Sequence, residues 1–166
     1  MTKPWLVWFI SPAIAHLNET SSHEEISYAI PAGWLDGFSE ATGNFEINPD
    51  GERFSIEYTL VHKSDKFLLQ LIKRLLHIPS YVNYNSSKNI YVLNTKNSRV
   101  IEKLIKLFTG KFKGMKSLEF KLWSRANYYK NTNLAKVRKI HKITLKLRIQ
   151  NNSSTFPVAS RFINKE

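Results

Sequence analysis

At 166 residues, with 42% hydrophobic and 13% aromatic side chains, the chain is one domain in size and apolar enough to build a core, which excludes wholesale disorder. It has no cysteine, which excludes a disulfide scaffold, a thiolate metal site and a cysteine nucleophile; its five histidines show no metal-ligand spacing, so no metal site is expected. The formal net charge of +12 is uneven: residues 1–100 carry nine basic and ten acidic side chains, whereas residues 101–149 carry fourteen basic and only Glu102 and Glu119 acidic. An excess gathered in one stretch makes a basic face, so a polyanion is the expected partner, with nucleic acid first and an anionic membrane second.

The chain opens with an apolar run, Trp5 to Ile10, followed by small residues through Ala15. It has the look of a short secretory signal, yet it falls far short of the roughly 20 apolar residues that span a bilayer. It also lacks the Arg-rich pattern of a transit peptide, and reads as an apolar arm that docks on a partner. Residues 17–28 are polar and acidic and read as a linker. A helix is predicted from Ile30 to Gly43, with Pro31 suited to its first turn, Gly43 to its stop, and Gly33 and Gly37 together on one face. Two strands follow, Asn44 to Asn48 and Arg53 to His62, joined by the turn residues Asn48-Pro49-Asp50-Gly51.

Ser64 is placed to cap a helix from Asp65 to about His77, whose apolar stripe is Phe67, Leu68, Leu71, Ile72, Leu75 and Leu76; Pro79 ends it. A second hairpin pairs Tyr81–Asn85 with Ile90–Leu93. Asn97 or Ser98 caps the next helix, and after Gly110 a Lys-rich loop leads to a helix from about Met115 to Tyr129. The last basic segment, Leu134 to Ile149, reads as helical at first and alternating from Lys142 on, with an extended tail from Gln150 to Glu166.

The order α-β-β-α-β-β-α-α has no βαβ crossover and no Gly-rich phosphate loop. It implies an α+β fold: a four-stranded antiparallel sheet with helices on one face and the other face open. Alternation puts Glu46, Asn48, Ser55, Glu57, Thr59, Tyr81, Asn83, Asn85, Asn89 and Tyr91 on that open face, and Asn, Ser and Tyr suit hydrogen bonding to base edges or riboses.

The run Trp34-Leu35-x-Gly37-Phe38-x-Glu40-x-x-Gly43-Asn44-Phe45 resembles the motif helix and following strand of the LAGLIDADG homing endonuclease and maturase family. The element order after it agrees, and Lys116-x-x-x-Phe120-x-x-Trp123 looks like the family's lysine-then-amphipathic-helix segment. The resemblance covers roughly residues 30 to 130 and implies one αββαββα unit, with an N-terminal arm and linker over 1–28, the family-like domain over 29–130 and a basic extension over 131–166. It further implies that Gly33 and Gly37 pack the motif helix against a second copy, that the sheet grips a duplex, and that the acidic residue before the last motif glycine binds the divalent metal that cuts DNA.

That position is Thr42, a neutral and poor ligand for Mg²⁺. Glu40 lies two residues back, about 200° round the helix, and Glu46 lies on the strand, so neither is a direct replacement. The expectation from sequence is therefore a catalytically inactive, non-enzymatic RNA-binding protein: a structural component of a mitochondrial (or plastid) ribosome or similar ribonucleoprotein. Its partners would be rRNA and neighbouring proteins of a large complex, with a membrane role unlikely. Binding would use Lys111, Lys113, Lys116, Arg125, Lys130, Lys136, Arg138, Lys139, Lys142, Lys146 and Arg148, together with Tyr81, Asn83, Asn85 and Tyr91. No catalytic residue, metal or cofactor is expected, Mg²⁺ entering only with nuclease activity. The alternative is a DNA-binding homing endonuclease or group I intron maturase, acting on duplex DNA as a homodimer.

Overall fold

A computed structural model describes residues 32–153 continuously and, ahead of them, residues 17, 18, 20–22, 24–26 and 30. The apolar arm and the end of the tail lie outside the described residues. Helix α1 (Ala32–Thr42) runs straight into strand β1 (Gly43–Asp50), which turns through Gly51-Glu52 into β2 (Arg53–His62). Gly51 sits at φ +60, the left-handed conformation that this short loop requires. The turn is thus centred later than the sequence suggests, because Pro49 and Asp50 still belong to the ladder, opposite Phe54 and Arg53.

Helix α2 (Lys66–Leu75) starts at Asp65, not Ser64: the Leu68 amide donates to Asp65 Oδ1 at 2.7 Å. Strands β3 (Asn83–Asn85) and β4 (Ile90–Thr95) form the second hairpin. Asn97 caps α3 (Ser98–Phe108) by accepting from the Arg99 and Val100 amides. Helices α4 (Gly114–Tyr129) and α5 (Leu134–Ser153) follow. The alternation expected from Lys142 onward is not a strand: α5 is helical throughout, burying Val137, Ile140 and Thr144 at helical spacing.

All strands are antiparallel, in the order β1-β2-β4-β3, giving the expected α+β sheet. Phe45, Ile47, Ile56, Tyr58, Leu60, Leu93 and Thr95 point to the helix side and are buried. Ile26 and Ile30 are buried too, and the Arg74 guanidinium donates to the Ser21 carbonyl, so Ser21 and Ile26, within the stretch expected to be a linker, are held against the domain. The centre is aromatic. The Phe45 ring lies 5.1–5.5 Å from those of Tyr58, Phe112, Phe120 and Trp123. Each such ring removed from water contributes on the order of 1.5–3 kcal/mol. The buried Trp123 indole also donates to the Glu57 carbonyl at 2.9 Å, tying α4 to the central strand β2.

Candidate nucleic-acid interface

Two surfaces are left open by the described residues, one on α1 and one on the sheet. On α1, Leu35, Asp36 and Ser39 are turned inward, and the Tyr58 hydroxyl donates to Ser39 Oγ at 2.8 Å. Burial pushes that tyrosine hydroxyl far above its ordinary pKa. The opposite face carries Gly33, Gly37 and Ala41, all exposed at a spacing of four. A Cβ added at Gly33 or Gly37 would meet nothing within 4 Å, so neither glycine is needed for packing among the described residues. Beside this stripe Trp34 stacks on Phe38 at 5.0 Å. Gly43 is a different case: a Cβ there would lie 2.4 Å from the Ser39 carbonyl oxygen, so only glycine fits where the helix becomes the strand.

The lysine-rich loop expected to contact phosphates folds onto α1 instead of standing free. Lys111 Nζ lies 3.9 Å from Asp36 Oδ2. The Lys113 amide, at the start of α4, donates to Glu40 Oε1 at 3.0 Å; a carboxylate there complements the helix N-terminus. Lys116 Nζ donates to the Gly43 carbonyl at 2.9 Å and to Glu119 Oε2 at 3.1 Å, which puts an ammonium at the end of the motif helix. Burial raises the Asp36 carboxyl above its ordinary pKa, with Lys111 opposing, and its Oδ1 has no hydrogen-bond partner among the described residues.

Thr42 turns its hydroxyl back to the Phe38 carbonyl at 2.9 Å, a helical back-bond that leaves the side chain neutral and locally engaged. Among the described residues no three His, Cys, Asp or Glu side chains gather as a metal-ligand set.

The open face of the sheet follows from the register. Asn44, Glu46 and Asn48 of β1 lie opposite Thr59, Glu57 and Ser55 of β2, and Asn94 of β4 lies opposite Thr59. Asn83 and Asn85 lie opposite Val92 and Ile90, which puts both on this face, as expected. Tyr91 does not belong there. It pairs with His62 and Tyr84, on the side of Leu93, and is half-buried against the core with its ring 5.1 Å from Tyr84. The odd step of the strand decides this. Tyr81 precedes β3 and is 78% exposed, with Lys73 Nζ 5.0 Å from its ring centre.

The remaining basic residues decorate the helices. Arg125, Arg138, Lys139, Lys142 and Lys146 are exposed on α4 and α5. Lys136 Nζ sits 4.5 Å from the Tyr129 ring centre. Lys130 donates to Ser98 Oγ at 3.0 Å, and burial lowers its pKa while Glu102 opposes that shift. Arg148 reaches the Phe45 carbonyl at 2.8 Å. Asn94 and Lys96 escaped the sequence reading because β4 was ended at Leu93; the alternation in fact runs on through Thr95, up to the Asn97 cap. No helix among the described residues is long and apolar enough to cross a membrane.

With this geometry in view, the relatives are informative. The profile of the LAGLIDADG endonuclease family matches residues 35–127. The probable intron-encoded endonuclease 4 of Neurospora crassa is 32% identical over 95 residues, covering 56% of this chain and 17% of its own length. The probable intron-encoded endonuclease Cox1-I1b of Schizosaccharomyces pombe is 32% identical over 122 residues, covering 69% of this chain and 31% of its own. The chain thus spans less than a third of the curated relatives it matches. Among solved structures, the homing endonuclease I-TnaI superposes with a TM-score of 0.60 at 18% identity over 74% of this chain and 97% of the other. The archaeal intron-encoded homing endonuclease I-Vdi141I, solved with DNA, gives 0.62 at 20% over 70% and 82%.

These findings overturn two expectations. The ribosomal RNA-binding role finds no support, since the relatives and structural neighbours are homing or intron-encoded endonucleases. The non-enzymatic assignment made from Thr42 fails with it, because the curated relatives are named as enzymes. Net charge and a single motif position say less about function than the whole αββαββα unit does. With the profile running from the motif helix to the end of α4, across more than half of its residues, the chain belongs to the LAGLIDADG endonuclease family.

Proposed function

We propose that the chain is the duplex-DNA-binding unit of an intron-encoded homing endonuclease and works paired with a second such unit. The observation that carries the reading is the sheet: its inner face packs the core against the helices, while its outer face presents Asn44 and Asn83 exposed and Asn48, Ser55, Thr59, Asn85 and Asn94 half-exposed. Short amides and hydroxyls on a twisted sheet suit base edges in a wide groove. I-Vdi141I, which shares the fold, was solved in complex with DNA. The exposed stripe Gly33-Gly37-Ala41 supports pairing, since small residues at a spacing of four let two helices approach closely.

Cleavage in this reading would need Mg²⁺, and because Thr42 is neutral and engaged with the Phe38 carbonyl, carboxylates to hold the ion would have to be added by the paired unit. Lys116, held at the Gly43 carbonyl, supplies positive charge where α1 ends. A mitochondrial location belongs to the same proposal; it draws on the intron-encoded fungal relatives, one of which carries Cox1 in its name.

The test is retention and cutting of a randomised duplex library with and without Mg²⁺. Tight duplex binding and Mg²⁺-dependent ends are expected. Binding duplex DNA no better than single-stranded RNA at equal salt would overturn the DNA assignment. Tight binding with no cut, under conditions where the paired form is present, would overturn the endonuclease assignment alone.

A further inference from the structure

Glu57 stands out on the open face. It lies on the central strand β2 and is only 7% exposed, although the face around it is wet. Its Oε1 accepts from Asn94 Nδ2 on β4 at 2.8 Å, and its Oε2 accepts from Asn48 Nδ2 on β1 at 3.5 Å. Lys96 Nζ lies 3.7 Å from Oε2 and compensates the charge. The backbone beneath is fixed from the opposite side by the Trp123 indole. The network spans three adjacent strands and lies outside the aromatic core. Partly withdrawing a carboxylate from water costs free energy that a threonine here would avoid.

We propose that Glu57 is a positioning residue for base readout, setting the amides of Asn48 and Asn94 so that both present an adenine-reading edge to the DNA. This rests on the duplex-binding role proposed above. An ionised carboxylate only accepts hydrogen bonds, so the nitrogen end of each asparagine amide must face it. One N–H of each Nδ2 is consumed by Glu57. The carbonyl oxygen and the second N–H remain, and together they form the pair that contacts adenine N6 and N7. Without an acceptor between them the two amides could each flip, and a flipped amide reverses the order of its donor and acceptor, so that it no longer matches adenine N6 and N7 in that register.

The experiment is base selection from a randomised duplex library by the full chain and by Asn48→Ala, Asn94→Ala and Glu57→Gln. The unmodified chain should favour adenine at two positions, by roughly 5- to 150-fold over the poorest base at each. Asn48→Ala should abolish one preference and Asn94→Ala the other. Glu57→Gln keeps the shape but accepts from only one of its neighbours; the adenine preference should persist at one position and be lost at the other. If Glu57→Gln selects the same bases as the parent, or the asparagine variants leave selection unchanged, the positioning role is wrong even though DNA is bound. If the parent retains no duplex, the DNA assignment itself falls, and this inference with it. Should Glu57→Gln fail to fold, side-chain amide exchange in the parent decides. Asn94 should exchange at least severalfold more slowly than Asn83, and equal rates would overturn the positioning role.

Discussion

The helix layer and the open sheet face carry different chemistry. The layer holds the charge, with Arg125, Arg138, Lys139, Lys142 and Lys146 exposed on α4 and α5. The sheet holds short polar groups tied to one another, such as the Asn48-Glu57-Asn94 network. Charge acts at a distance and without regard to sequence, whereas an amide reads one base and only at contact. The face that makes a protein basic therefore need not be the face that recognises. Summed charge pointed to a polyanion and said nothing of which surface would read it.

That division can be broken from beneath, starting with the largest expected effect. Trp123→Ala removes the buried ring and the hydrogen bond to the Glu57 carbonyl, and should cost about 3–5 kcal/mol of stability in denaturant unfolding. Gly43→Ala forces a methyl group against the Ser39 carbonyl at the join of α1 and β1, where about 1–3 kcal/mol is expected by the same measurement. Tyr58→Phe strands the buried Ser39 hydroxyl and should cost about 1–2 kcal/mol.

Asp36 gives a smaller effect with a defined sign. Its folded carboxyl is held above the ordinary value, so the folded state keeps the proton to higher pH than the unfolded chain does. The associated stability is complete below about pH 3.8 and is lost as pH rises through the folded pKa. Asp36→Asn should therefore melt above the parent at pH 7, with the gap closing as the pH falls to that range. A gap that widens on acidification would contradict the burial assignment.

The smallest effect separates the two surfaces most directly. If DNA lies on the sheet, Lys96→Gln should lower the slope of log affinity against log salt by about 0.9, the share of one phosphate. Lys139→Gln, on the helix side, should leave that slope nearly unchanged. The reverse result would move the duplex onto α5.

The strands and most helices were legible because their signals are local. Asp50-Gly51 announces a turn, Asn97 a cap, and the apolar residues of α2 and α3 recur at helical spacing. What was misread depends on context that spacing does not carry. Tyr91 belongs to an alternating strand, yet the face it takes is set by its pairing with His62 and Tyr84. The later half of α5 alternates as a strand would, but Val137, Ile140 and Thr144 are buried together only because α4 and β2 wait beneath them. The candidate site is legible in the sequence at its centre and at one end, not at the other. Asn48 and Glu57 were placed on the open face from sequence, while their joining to Asn94 needed the pairing of three strands.

The contact from Arg148 to the Phe45 carbonyl bears on solubility. A sheet of order β1-β2-β4-β3 has two edges, and exposed edges invite other chains to add strands. β3 is only three residues long and offers little to extend. β1 is eight residues long and carries Pro49, which cannot donate, while Arg148 occupies one of its carbonyls from the far end of α5. The last turns of α5 thus serve as a guard on the longer edge. A chain cut before Arg148 should keep its core yet associate through β1, so the basic helix protects the monomer as well as lending it charge.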